Sequence, residues 1–223
     1  MRVLFLPCFA VPLLAFTGCS TAYSTNPLHK ADDVVQAAAL EGSWTAVNPA
    51  DDPPLCVENF PDQGYVLVLS DPDTKVLSVY SIDLVELDAH LYADLVARGQ
   101  IVHGDELDMQ PGSVTPHIIA TLDVGDNSLD WSVLSADAIK EQNKDASSPM
   151  SYIEAGDDLI LSSETDELRQ YVSTNSDRIF GSRHHYIRQA NPDPPDSATT
   201  ACGIPTQYLT HNAGNTAERD VNE

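Results

Sequence analysis

Few side chains in this chain could do chemistry, and their spacing limits what they can do. The seven histidines include one adjacent pair, His184-His185. Neighbouring residues on a strand point to opposite faces, so these two imidazoles cannot chelate one ion together. His90, His103 and His117 are scattered, and a hydrogen-bonded structural role is the expectation for each. A catalytic site would have to assemble from distant strands, for instance His117 near His184 or Glu86. No G-x-S-x-G elbow, H-E-x-x-H, Walker A, G-x-G-x-x-G or C-x-x-C occurs. The local signatures of serine hydrolases, zinc proteases, nucleotide binders and thiol oxidoreductases are therefore missing.

Carboxylates are plentiful but poorly arranged for a metal. Asp71-Pro72-Asp73 and Asp123-Val124-Gly125-Asp126-Asn127 offer oxygens of the kind calcium takes, yet neither matches D-x-[DN]-x-[DN]-G. Both stand where a hairpin turn itself calls for Asp and Asn. Asp193-Pro194-Pro195-Asp196 reads as a solvated extended segment. No metal, no cofactor and no catalytic residue is expected.

Of the four cysteines, Cys8 lies within the apolar run 3–16 that follows Met1-Arg2. That run has signal-peptide length and is too short to span a bilayer as a helix. It ends in Phe16-Thr17-Gly18-Cys19-Ser20. Small residues before a cysteine that closes an apolar run resemble the bacterial lipobox, in which the cysteine is acylated and becomes the mature N-terminus. Phe16 departs from it where Leu is preferred, and Pro7 and Pro12 are unusual in such a run. The resemblance implies a signal peptide over 1–18 and lipid attachment (palmitate) at Cys19. Ser20 rather than Asp after the cysteine implies sorting to the outer membrane, on its periplasmic face. Cleavage near Ala22 and an uncleaved anchor are the alternatives that the run leaves open. Cys56 and Cys202 remain, and an even pair in an exported chain points to a disulfide.

Composition narrows the partners. With 34 acidic against 11 basic residues, and only Lys30, Lys75, Lys140 and Lys144 as lysines, the formal charge is −23. Such a surface repels nucleic acid and anionic headgroups, because phosphate contacts need clustered Lys or Arg. A solvated acidic surface suited to a saline medium is the plain reading. A hydrophobic content of 42% suffices for one core, and the length suits one domain with tails.

The elements that must position these residues are mostly strands. Residues 31–40 predict a helix, with acids in its first turn and Gly42 just beyond its end. Gly42-Ser43-Trp44 opens a first strand, and the Pro- and Asp-rich stretch 51–61 reads as loop. Strands at 65–70 and 76–85 flank a reversal at 71–75. Residues 87–97 fit both periods and are assigned as a strand because they continue a run of hairpins. Residues 98–113 read as loop. Strands at 116–124 and 128–134 flank Gly125-Asp126-Asn127, a hairpin signal. Ser135 caps a short helix reaching 144. Short strands follow at 151–154 and 159–162, then a second short helix from Ser163 to about Thr174, then a strand over 184–188. The domain plan is a signal over 1–18, a tether over 19–28, a barrel domain over 29–190 and a mostly disordered tail over 191–223. Cys202 would tie that tail back, laying the more apolar stretch 201–209 against 52–60.

Seven or eight short antiparallel strands with an N-terminal helix and two short helices predict a mainly β protein, a small antiparallel barrel, since closure removes exposed edges. Gly42-Ser43-Trp44 resembles the G-x-W that opens the first strand of lipocalins, and Tyr186-Ile187-Arg188 resembles the basic ending of lipocalin-like barrels. The resemblance implies that Arg188 packs over Trp44. The chain also resembles uncharacterised bacterial lipoproteins, through the same opening, His117 before a strand, the helix start at Thr165 to Leu168 and the basic last strand. The likeness spans about 40–190 and lacks the lipocalin Thr-Asp-Tyr element. Trp44, Trp131, Tyr65, Tyr80, Tyr92 and Phe60 would line a cavity in an open barrel or fill a closed one, and filling is the expectation. That family likeness implies little about function; the expectation from the sequence as a whole is a non-catalytic envelope lipoprotein, joined to the membrane by its lipid. The alternative is a carrier of a small apolar molecule or lipid inside the barrel.

Overall fold

Alternation of apolar and polar residues runs through most of this chain, and among the described residues it produces eleven strands. In order these are β1 (Ala22–Ser24), β2 (Gly42–Ala46), β3 (Leu55–Phe60), β4 (Gly64–Ser70), β5 (Val76–Leu87), β6 (His90–Val102), β7 (His117–Val124), β8 (Ser128–Val133), β9 (Tyr152–Ala155), β10 (Asp158–Leu161) and β11 (His184–Arg188). Helix α1 (Ala136–Asp145) follows β8, and α2 (Thr165–Ile179) follows β10. The computed structural model describes residues 20–50, 52–60, 64–71, 73–74, 76–102, 116–145, 149–190 and Cys202. The expected signal peptide, Cys19, His103 and the tail on either side of Cys202 lie outside the described residues.

Eight strands close into an antiparallel barrel. The neighbours run β6-β5-β4-β3-β2-β11-β8-β7, and β7 pairs back onto β6 through Leu91↔Leu122 to Val96↔His117. Closure leaves these eight strands without a free edge. Inward positions carry Trp44, Leu67, Ile82, Leu95, Trp131 and Tyr186, all buried in one cluster. The β5–β6 hairpin is joined by only Asp88 and Ala89, both at positive φ (49° and 62°), the backbone a two-residue I′ turn requires.

A second layer covers part of the outside. Tyr92 of β6 and Ile119 of β7 point outward and pack with Ile139 of α1, Leu168 and Val172 of α2 and Leu159 of β10. All six of these side chains are fully buried, and such burial contributes roughly 1.5–3 kcal/mol for each large aliphatic group. Helix α1 begins as its sequence predicts, the Ser135 hydroxyl accepting the Ala138 N–H at 3.3 Å.

The N-terminal arm departs from expectation. Residues 20–28, expected to be a tether, hold β1, which pairs parallel with β10 and antiparallel with the start of β7. The helix expected over 31–40 shrinks to one 3-10 turn at Ala38–Leu40. Short helices are marginal without a packing face, and here the backbone finds better partners on the barrel. Val34 bridges Val85, the Val35 N–H donates to Leu84 O at 2.8 Å, and the Ala37 N–H donates to the Tyr65 hydroxyl at 2.9 Å.

Three further boundaries move. The expected loop over 51–61 contains β3, because Leu55 and Val57 alternate inward while the prolines fall outside the strand. Strand β6 continues through Val102 into the stretch expected to be loop, paired along β5. Helix α2 runs to Ile179 rather than ending near Thr174, since Val172 and Ile179 keep burying its apolar face. Its N-cap is Glu164, not Ser163, and carries no side-chain cap bond.

Candidate functional site

Strand β6 alternates inward Ala93 and Leu95 with outward Tyr92 and Asp94. The outward position is covered by the N-terminal arm, so Asp94 is fully buried. A buried carboxylate is costly unless it is hydrogen-bonded, and this one is bonded three times. Its Oδ2 accepts the Leu28 N–H at 2.7 Å and faces His29 Nδ1 at 3.1 Å, while Oδ1 faces His117 Nδ1 at 2.6 Å. His117 lies diagonally across the β6–β7 pair, opposite Val96, within reach of a side chain on the same face.

Around this centre lies a ring of charge. His29 Nε2 stands 3.7 Å from Asp83, and Arg169 of α2 bonds the Leu28 carbonyl at 3.0 Å and pairs with Asp33. Burial pushes the Asp94 carboxyl up, but the hydrogen bonds from His117, His29 and Leu28 outweigh it and hold the group below its ordinary range. The bond to Asp94 raises the His29 pKa against the opposing effect of burial, with Asp83 and Asp33 adding to the rise. The arrangement holds a buried negative charge on Asp94 and ties the arm to the barrel. A proton can be held here, but no nucleophile bonds to either imidazole among the described contacts.

A second His–Asp contact sits elsewhere. His184 Nδ1 lies 2.6 Å from Asp52, and Asp52 is only 7% exposed. Beneath it, burial first and the Asp52 charge second raise the pKa of the Tyr186 phenol, which meets Trp131 edge-on with ring centroids 6.2 Å apart. His185 points to the other face and pairs with Asp130. Each member of the adjacent pair thus has its own carboxylate.

At the far end of β11, Arg188 lies over Trp44, 4.2 Å from the ring centroid. Its guanidinium donates to the carbonyls of Glu41, Ala39 and Asp126, and the Trp44 indole N–H donates to Leu40 O at 3.0 Å. One arginine therefore ties the 3-10 turn, the β7–β8 turn and the opening strand together. Gly42 has φ +132°, and a Cβ there would meet Arg188 Nη1 at 2.6 Å.

The interior is packed. Leu40, Leu67, Ile82, Leu122 and Trp131 surround a void of about 10 Å³, room for no more than one water. Burial pushes the Tyr80 phenol inside the barrel up to about 12, so it stays neutral. Of the six aromatics considered for a cavity, Trp44, Trp131, Tyr65 and Tyr80 fill the interior. Tyr92 instead lies outside against Phe180, and Phe60 packs on the outer face of the sheet.

The other candidates resolve into structure. Asp71 Oδ1 accepts the N–H groups of Asp73 and Thr74 at 2.8 and 3.1 Å, closing its own turn. Gly125 N–H donates to Ser128 O across the turn that holds Asp126 and Asn127. Cys56 and Cys202 form a disulfide with Cα atoms 5.5 Å apart. Among the described residues no group of three His, Cys, Asp or Glu side chains is placed to hold a metal ion. His117 is bonded to Asp94 rather than to His184 or Glu86, and His90 is exposed at the β5–β6 hairpin. Sequence reasoning missed His29 and Asp94. The available signal was an acid at an outward position of an otherwise apolar strand, and Leu28-His29 interrupting a polar stretch.

The fold defines the class as a closed eight-stranded antiparallel barrel, consistent with a lipocalin-like barrel. No protein-family model, curated protein or solved structure matches the chain.

Proposed function

We propose that this chain is a non-catalytic envelope lipoprotein, anchored through an acylated Cys19 in the outer membrane, with its barrel on the periplasmic face. The observation that carries the reading is the filled interior, whose void of about 10 Å³ leaves the outer surface to carry function. The lipobox-like Thr17-Gly18-Cys19 supports the address. No helix among the described residues is long and apolar enough to cross a membrane. Docking of the arm from β1 through His29 supports a barrel held close to its anchor. The carrier reading needs a pocket of several hundred Å³ and draws no support from this interior.

Metabolic labelling with a palmitate analogue tests the proposal. The wild-type chain should incorporate label and partition with membranes, and Cys19→Ala should lose both. Equal labelling of Cys19→Ala would overturn the anchor. Native mass spectrometry of gently extracted protein tests the interior, and a stoichiometric small molecule would revive the carrier.

A further inference from the structure

An anchor at Cys19 would have no tether. Residues 20–28, the stretch expected to serve as one, would reach about 30 Å if extended and free. Instead the chain is bound to the body from Ser20 onward. The Ser20 carbonyl accepts the N–H of Ala136, the first residue of α1, at 2.9 Å. The Thr21 N–H donates to Asp158 Oδ1 at 2.9 Å, and its carbonyl accepts the Leu159 N–H at 3.1 Å. The N–H groups of Ala22, Thr25 and Leu28 then donate to Leu134 O, Leu161 O and Asp94.

These bonds also bear on where the leader is removed. Ala136 and Leu159 are fully buried. Cleavage near Ala22 would take away Ser20 and Thr21 and leave both N–H groups without their acceptors. Each such loss costs about 1–3 kcal/mol. A mature chain that begins at Cys19 keeps both bonds.

Peptide geometry puts the Cα atom of Cys19 about 3.8 Å from that of Ser20. We infer, on the reading that Cys19 is acylated, that the corner built from the start of α1 and the β9–β10 turn lies directly against the phospholipid headgroups. Asp137 and Asp157 are exposed on it, and Lys140 stands 3.7 Å from Glu154. A corner with this excess of carboxylates fits zwitterionic headgroups, which present ammonium groups outermost, and is repelled by anionic ones. The anchor thus fixes which face of the molecule meets the membrane. Strand β4 stands three strands from β7 one way round the closed ring and five the other, so the β4–β5 turn is turned to water.

Headgroup quenching tests this in the acylated, full-length protein. Cys56 and Cys202 are bonded to each other, so a single introduced cysteine takes a bimane label selectively. The vesicles are phosphatidylethanolamine and phosphatidylcholine carrying a headgroup nitroxide. Label at Asp157→Cys should be quenched several-fold more strongly than label at Asp73→Cys in the β4–β5 turn. A Ser-Gly linker of about twenty residues inserted after Cys19, spanning about 25 Å as a coil, should bring the Asp157→Cys label down to the lower level. Palmitate-labelled protein with equal quenching at the two positions, or undiminished quenching with the linker, would overturn this orientation and leave the anchor standing. A chain that takes no palmitate would overturn both.

Discussion

Replacing Asp94 tests whether the buried carboxylate holds the arm on the barrel. Its three donors are the Leu28 N–H and the two imidazoles, and the Asp94 side chain is fully buried. Removing one partner of a buried charged pair costs about 3–5 kcal/mol. The side chains of His29 and His117 are 22% and 16% exposed, so both recover some water and the lower half of that range applies to Asp94→Ala. Asp94→Asn keeps one carbonyl oxygen for Leu28 and His29, while His117 can change tautomer to accept from the amide, so about 1–3 kcal/mol is expected. For a chain of this size each kcal/mol lowers Tm by about 2–4 °C, so Asp94→Ala should lose roughly 10 °C. The pH dependence carries the stronger test. His29 has a raised folded pKa, so its contribution is fully present below the ordinary value of 6.5 and fades as pH rises through the folded value. Asp94 has a lowered one, so its contribution is present above 3.8 and fades as pH falls through the folded value. Wild-type stability from this cluster should therefore peak between about 3.8 and 6.5 and decline above it. Urea unfolding from pH 4 to 9, with the disulfide intact, measures this. An Asp94→Asn protein with the wild-type midpoint and the wild-type slope above pH 6.5 would refute the reasoning.

Two other substitutions probe the closure of the barrel. Gly42→Ala should destabilise by about 2–4 kcal/mol, because it combines a backbone angle that disfavours side chains with displacement of the Arg188 guanidinium from Trp44; tryptophan fluorescence during thermal unfolding reads both effects. Arg188→Lys keeps the charge and loses the planar fork, so it should behave more like Arg188→Ala than like wild type in the same assay. Ala89→Gly should instead stabilise by about 1 kcal/mol, since Ala89 holds φ 62° in the two-residue turn at a cost glycine does not incur; a higher urea midpoint at unchanged m-value is the expected result.

Where alternation and turn chemistry govern, the sequence by itself determined most of the outcome, although the cap expected at Ser163 fell on Glu164. Alternation at 65–70, 76–85, 117–124 and 128–133 made strands because each has one face toward the interior, and Gly125-Asp126-Asn127 and Ser135 punctuated them through turn and cap chemistry. The mainly β class, the small closed barrel and the separation of His184 from His185 follow from the same period of two. Where a segment's partner lies far along the chain, tertiary structure decided. Residues 31–40 have helical composition, yet Leu84 and Tyr65 claimed their backbone N–H groups. Strand β3 was hidden among prolines until β2 and β4 paired with it on both sides. The His29–Asp94–His117 cluster spans three elements separated by 65 and 23 residues, and no spacing rule joins them. Asp94 stays charged beneath the arm, on the outer face of β6, because closure of β6 onto β7 and docking of the arm bring three donors to it at once, and local sequence carries no record of that coincidence.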